Sequence, residues 1–135
     1  MASNHIYEDR WGEVIDHPDA DFLEIRWYDT TDAMSKDEFQ RWLTLFAENE
    51  ERLRRSCCLI DATNFRMDPA NSDGPWREVH IVPRYNAAGV KKFAFHFPAG
   101  MPLIGKAPAV EGIAKYPTGY FGRRQDVLDW FARSG

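Results

Sequence analysis

Asp61, Thr63 and Asn64 stand in the corner Asp61-Ala62-Thr63-Asn64, directly after the apolar run Cys57-Cys58-Leu59-Ile60. A carboxylate beside a hydroxyl and an amide at the end of a buried strand can hold a ligand or move a proton, since ligands of open α/β sheets gather at the carboxyl ends of strands. The same residue types also build Asx turns, in which the carboxylate accepts hydrogen bonds from the amides that follow. His96 lies in Lys91–Phe97, alternating with Phe93, Phe95 and Phe97. It reads either as a satisfied, half-buried histidine or as a base that would work with Asp61. Cys57 and Cys58 are adjacent in a strand, point to opposite faces and read as core thiols. His5, His17, His80 and His96 show no ligand spacing such as H-x-x-x-H, and glycine-rich phosphate loops and Gly-x-Ser-x-Gly are absent. With no complete catalytic set, neither an enzyme nor a metal or other cofactor is expected.

The elements that must position these residues can be read from periodicity. Trp11–Ile15 and Phe22–Tyr28 read as strands joined through the turn formers Asp16–Asp21. Ser35-Lys36-Asp37-Glu38 is a capping box with Met34 and Phe39 at the hydrophobic-staple positions, and it opens a helix whose stripe is Phe39, Trp42, Leu43, Phe46, Ala47 and Leu53. The Cys57 strand and the corner follow. A polar loop, Phe65–Gly74, leads to a helix opening at Gly74 or Pro75, which Pro83 should end or kink near Val82. A further short turn is expected to stop at Gly89. The strand Lys91–Phe97 completes a βαβ unit whose strand ends open on the same sheet edge. Gly119–Gly122 suggests a last short strand, and Val127, Leu128, Trp130 and Phe131 a closing helix.

The stretch from Met101 to Thr118 is unlike the rest. It carries Met101, Leu103, Ile104, Val110, Ile113 and Tyr116, broken by Pro102, Gly105, Pro108, Gly112 and Pro117. Segments of this length without regular structure often serve as lids, so these six apolar residues are candidates to wall a pocket beside Asp61, or else simply to cover the sheet.

Several function classes are excluded by composition. The 135 residues carry a formal charge of −4, which argues against a nucleic-acid partner. With 44% apolar residues and 14% aromatic ones, a single packed domain over 1–135 is expected, with 1–9 as a flexible tail. No basic, apolar leader opens the chain and no apolar run approaches the roughly 20 residues of a membrane span, so a cytoplasmic protein without a transmembrane segment is expected. Exposure of Trp11 or Trp27 would mark a homodimer surface.

The element order, the strand ending Leu59-Ile60-Asp61-Ala62, the helix Trp76–Arg84 with Ile81-Val82-Pro83, the entry Gly89–Phe95, and Tyr120-Phe121 followed by Asp126–Phe131 together resemble the SpoIIAA-like, STAS-related family of small bacterial α/β domains. The likeness runs from Val14 to Phe131 through short motifs. It implies an α/β fold with a mixed, mostly parallel sheet of four or five strands, a relation in fold to Sec14-type lipid-binding domains, and no catalytic residue. Anti-sigma-factor antagonists of this fold carry a phosphorylatable serine after the central strand. Here Met67–Gly74 departs from that motif, with Ser72 as the candidate phosphosite. The expected function is a non-enzymatic module that engages an apolar, lipid-like small molecule or a protein partner at the strand ends and the 101–118 flap. The alternatives are a phosphorylation-switched interaction protein and an enzyme using Asp61 with His96.

Overall fold

The computed structural model describes residues 3–71 and 74–133. Among them are seven strands: β1 (Asn4–Asp9), β2 (Gly12–His17), β3 (Phe22–Trp27), β4 (Cys57–Asp61), β5 (Lys92–His96), β6 (Ala109–Val110) and β7 (Pro117–Phe121). Four α-helices accompany them: α1 (Lys36–Leu53), α2 (Gly74–His80), α3 (Val82–Ala88) and α4 (Arg124–Ala132).

The strands form one sheet in the order β1-β2-β3-β4-β5-β7-β6. The pairs β3–β4, β4–β5 and β5–β7 are parallel, whereas β1–β2, β2–β3 and β6–β7 are antiparallel. The fold is thus a mixed α/β domain, but the expectation of a mostly parallel sheet of four or five strands requires correction. A parallel centre of four strands is extended at both edges by antiparallel ones. The stretch expected to be a tail supplies β1, because Tyr7 packs edge-on against Trp42 at 5.3 Å while the carboxylate of Asp9 accepts from the Trp11 amide at 2.8 Å and from Trp42 Nε1 at 3.2 Å. Its largely exposed side chains hide this role in the sequence. At the other edge β6 is two exposed residues, held by pairing rather than by burial.

Local chemistry explains the helices. Ser35 and Glu38 close the capping box reciprocally: the Glu38 amide donates to Ser35 Oγ at 3.1 Å and the Ser35 amide to Glu38 Oε1 at 3.0 Å. The apolar stripe of α1 lies on the sheet, with Phe46 and Ala47 fully buried. Pro83 has no amide to continue a helix from α2, and the chain breaks at Ile81 before α3, which ends at Gly89 with φ +86°.

Strand alternation sorts the side chains between two cores. Leu23, Ile25, Trp27, Cys58, Ile60 and Phe93 face α1 and α3, whereas Phe22, Cys57, Leu59 and Ala94 face α4 through Val127 and Trp130. The two cysteines are free and lie in different cores. Burial pushes the Cys57 thiol up to about 11 and Cys58 well above the ordinary thiol range, so both are unreactive core groups at neutral pH. Trp11 and Trp27, considered above as dimer-surface candidates, are buried at 5% and 2% exposure. No helix among the described residues is long and apolar enough to cross a membrane.

Candidate functional site

A cavity of about 320 Å³ opens on the α1–α3 face toward the carboxyl ends of the central strands. Its floor comes from alternate residues of the strands and their ends: Trp27 of β3, Ile60 and Ala62 at the end of β4, Phe93, Phe95 and Phe97 along β5, and Thr118 and Tyr120 of β7. Phe39 and Leu43 of α1, Phe65 of the loop after β4, Arg77 of α2 and Tyr85 of α3 complete the walls. Phe95, Phe97 and Tyr120 are near-parallel rings, with centroids 5.6–5.9 Å apart and planes within 10–16° of one another. Trp27, Phe39 and Phe65 form a second aromatic wall, with neighbouring centroids 5.2–5.9 Å apart.

The cavity carries two charged groups, Arg77 and Glu111. Tyr120 Oη donates to Glu111 at 2.8 Å from one carboxylate oxygen and 2.9 Å from the other. Burial and this carboxylate together raise the Tyr120 pKa well above the usual phenol range, so the hydroxyl stays a donor. Arg77 lies over rings instead, its Cζ 5.3 Å from the centroid of Phe93 and 6.0 Å from those of Tyr85 and Phe95.

Of the corner Asp61-Ala62-Thr63-Asn64, Ala62 alone lines the cavity, while Asp61 faces the other side of the sheet. Asp61 and His96 are register partners on β4 and β5, and both point away from Ile60 and Phe95. Asp61 Oδ1 accepts from the amide and the hydroxyl of Thr63 at 3.1 and 2.7 Å, an Asx-type turn. Its other oxygen is 3.6 Å from Arg26 Nε. His96 Nδ1 is 3.9 Å from Asp61 Oδ1, beyond hydrogen-bond range, and this buried nitrogen has no partner among the described residues. Asn64 is exposed. Asp61, Thr63 and Asn64 do not line the cavity; for Asp61 the reason is that a one-residue step along β4 from Ile60 reverses the face. No group of three or more His, Cys, Asp or Glu side chains among the described residues is placed to hold a metal ion.

The flap behaves differently from expectation as well. Met101, Leu103, Val110 and Ile113 are 41–59% exposed and do not line the cavity, and Ile104 packs near Gly122 instead. Tyr116 is buried against Tyr85 and Phe93 as part of the core. The flap contributes Glu111 alone, apart from Thr118 at its junction with β7. Polar groups pin its backbone to α2 and α3 with Ile113 left outside. Glu78 accepts from the Ile113 amide at 2.8 Å, while Asn86 donates to the Ile113 carbonyl at 3.1 Å and accepts from the Lys115 amide at 2.8 Å. Ser72 lies outside the described residues.

The pin also explains a glycine. Gly112 has φ +55°, and a Cβ there would lie 2.2 Å from Glu78 Oε2. Gly112→Ala is expected to break the Glu78 contact, to cost about 1–3 kcal/mol and to speed proteolytic cleavage within 101–118. Unchanged cleavage in limited proteolysis with an unchanged melting temperature would refute this.

Sequence reasoning missed the cavity residues Phe65, Arg77, Phe97, Glu111 and Tyr120 as a set. Part of the signal was present: the Phe93, Phe95, Phe97 alternation marks an aromatic strand face, but nothing in the spacing brings Tyr120 or Arg77 to it. The fold and cavity define a mixed α/β domain with an aromatic pocket at the ends of its parallel strands. No protein-family model, curated protein or solved structure matches this chain.

Proposed function

We propose that this protein is a non-enzymatic binding module of SpoIIAA-like, STAS-related type, whose strand-end cavity takes a small apolar ligand. The observation that carries the reading is the aromatic cavity itself. At about 320 Å³ it falls at the small end of the roughly 300–1,000 Å³ range of ligand pockets. That size suits a compact molecule better than a two-chain lipid. Phe65, Phe95, Phe97 and Tyr120 are only half-buried, so an occupant would remove further ring surface from water at about 25 cal/mol per Å². The parallel run β3-β4-β5-β7 supports the family part of the proposal, and the corner of Asp61, committed to its turn, gives no support to the enzyme alternative.

The test is native mass spectrometry of freshly purified protein, combined with thermal shift against a panel of aromatic and aliphatic small molecules. A bound species, or a rise of a few °C with a panel member, is expected. Ala62→Phe, which fills the floor of the cavity, should abolish that rise while leaving a cooperative unfolding transition. Absence of any co-purifying species together with no shift across the panel would overturn the proposal.

A further inference from the structure

We infer that the ligand of this cavity is a flat apolar anion, an aromatic carboxylate in class, whose charged group is received by Arg77 and whose ring lies against Phe95, Phe97 and Tyr120. The inference rests on the cavity reading above and adds the charge and shape of the occupant. Three observations on the cavity wall lead to it.

The first is the state of the guanidinium. Arg77 is half-buried and touches three aromatic rings, which satisfy its charge in part but accept no conventional hydrogen bond. Among the described residues no carboxylate lies within salt-bridge distance of it and no acceptor is bonded to its five N–H donors, whereas Arg55, Arg84 and Arg124 each make a two-pronged contact with a carboxylate. The second is that Glu111, the one anion in the cavity wall, is held by Tyr120 Oη and leaves Arg77 unneutralised. An anionic group brought by a ligand would complete the guanidinium fork in a half-buried site, with charge-assisted hydrogen bonds stronger than those between neutral groups. The third is the shape of the apolar part. The near-parallel rings of Phe95, Phe97 and Tyr120 offer flat faces, and aromatic partners prefer offset stacking on such faces.

Two probes of nearly equal size separate the charge from the apolar body: 2-naphthoate and the neutral 2-naphthalenemethanol, titrated into the full chain by calorimetry and by quenching of tryptophan fluorescence. The carboxylate is expected to bind roughly tenfold to a hundredfold more tightly than the alcohol. Arg77→Met should erase that preference while leaving the affinity for the alcohol nearly unchanged, and Arg77→Lys should keep part of it. Circular dichroism checks that each variant folds, and the wild-type comparison needs no variant at all. Equal affinity of the wild-type protein for the two probes, or a preference that survives in Arg77→Met, would overturn the anion assignment and leave the apolar cavity standing. Binding of neither probe at up to about 1 mM would overturn this inference, and no shift across the small-molecule panel either would remove the cavity reading with it.

Discussion

Glu24→Gln is expected to destabilise the protein by about 3–5 kcal/mol at pH 7, the largest loss from any single polar substitution in the fold. Glu24 lies on the α4 side of β3 and is fully buried. Arg124 grips it with both nitrogens, at 2.8 and 2.9 Å, His17 Nε2 lies 2.8 Å from Oε1, and Arg26 approaches Oε2 at 3.4 Å. Replacing the carboxylate with an amide leaves the Arg124 and Arg26 guanidinium groups facing a neutral side chain that turns an NH₂ toward one of the former partners. Burial works against the charged form of Glu24, but the hydrogen bonds from His17 and Arg124 outweigh it and hold the pKa down to about 2. A depressed carboxylate contributes stability that is fully present above the unfolded value near 4.5 and is lost as pH falls toward about 2. The wild-type protein should therefore lose about 3 kcal/mol through this group across that window, and Glu24→Gln should lack that segment of the acid titration. Urea unfolding followed by tryptophan fluorescence at several pH values measures both. A loss under about 1 kcal/mol at pH 7 would show that the cluster is not holding α4 to β3.

Glu50→Gln should do the opposite and stabilise the protein at alkaline pH. Glu50 is on the buried face of α1, near Cys58, with no solvent exposure, and neither carboxyl oxygen has a well-formed hydrogen-bond partner among the described residues. Burial pushes its pKa up to about 8, with the nearby Asp21 charge adding to the rise. The folded state thus keeps a proton that the unfolded chain releases from about pH 4.5 upward, and this group weakens the fold progressively between about 4.5 and 8. Glutamine carries no such proton. The variant should match the wild type near pH 4 and exceed it by on the order of 4 kcal/mol at pH 8, the difference levelling off above that. Identical stability of the two proteins at pH 8 would mean that Glu50 is ionised and solvated, contrary to its position. Two fully buried glutamates in one domain thus pull in opposite senses, because one was given cations and the other was not. As far as these two groups decide it, the protein is most stable near pH 4.5.

Much of the domain was legible from local chemistry. The capping box at Ser35 and Glu38, the break enforced by Pro83, the stop at Gly89 and the opposed faces of Cys57 and Cys58 all follow from rules that act over a few residues, and each stands where those rules put it. The Asx turn at Asp61 and Thr63 belongs to the same group. The edges of the sheet were not legible. β1 and β6 carry mostly exposed side chains and exist because a neighbour supplies hydrogen bonds, so their own patterns hold little trace of them.

The sequence by itself determined an α/β domain, the start of α1, the opening of α2 at Gly74, the stop of α3 at Gly89, and the alternation that sends Phe93, Phe95 and Phe97 to one face and His96 to the other. Tertiary structure alone decided which face holds the cavity. That choice depends on α1, α2 and α3 packing on one side and α4 on the other, and on β7 entering beside β5 to bring Tyr120 against Phe95 and Phe97. It depends equally on Glu78 and Asn86 pinning the flap, in which Met101, Leu103, Val110 and Ile113 stay exposed and Glu111, with Thr118 at the junction with β7, reaches the site. Period-two alternation is a property of one strand, whereas a cavity is made where separate elements meet, and no spacing within a single element encodes that meeting.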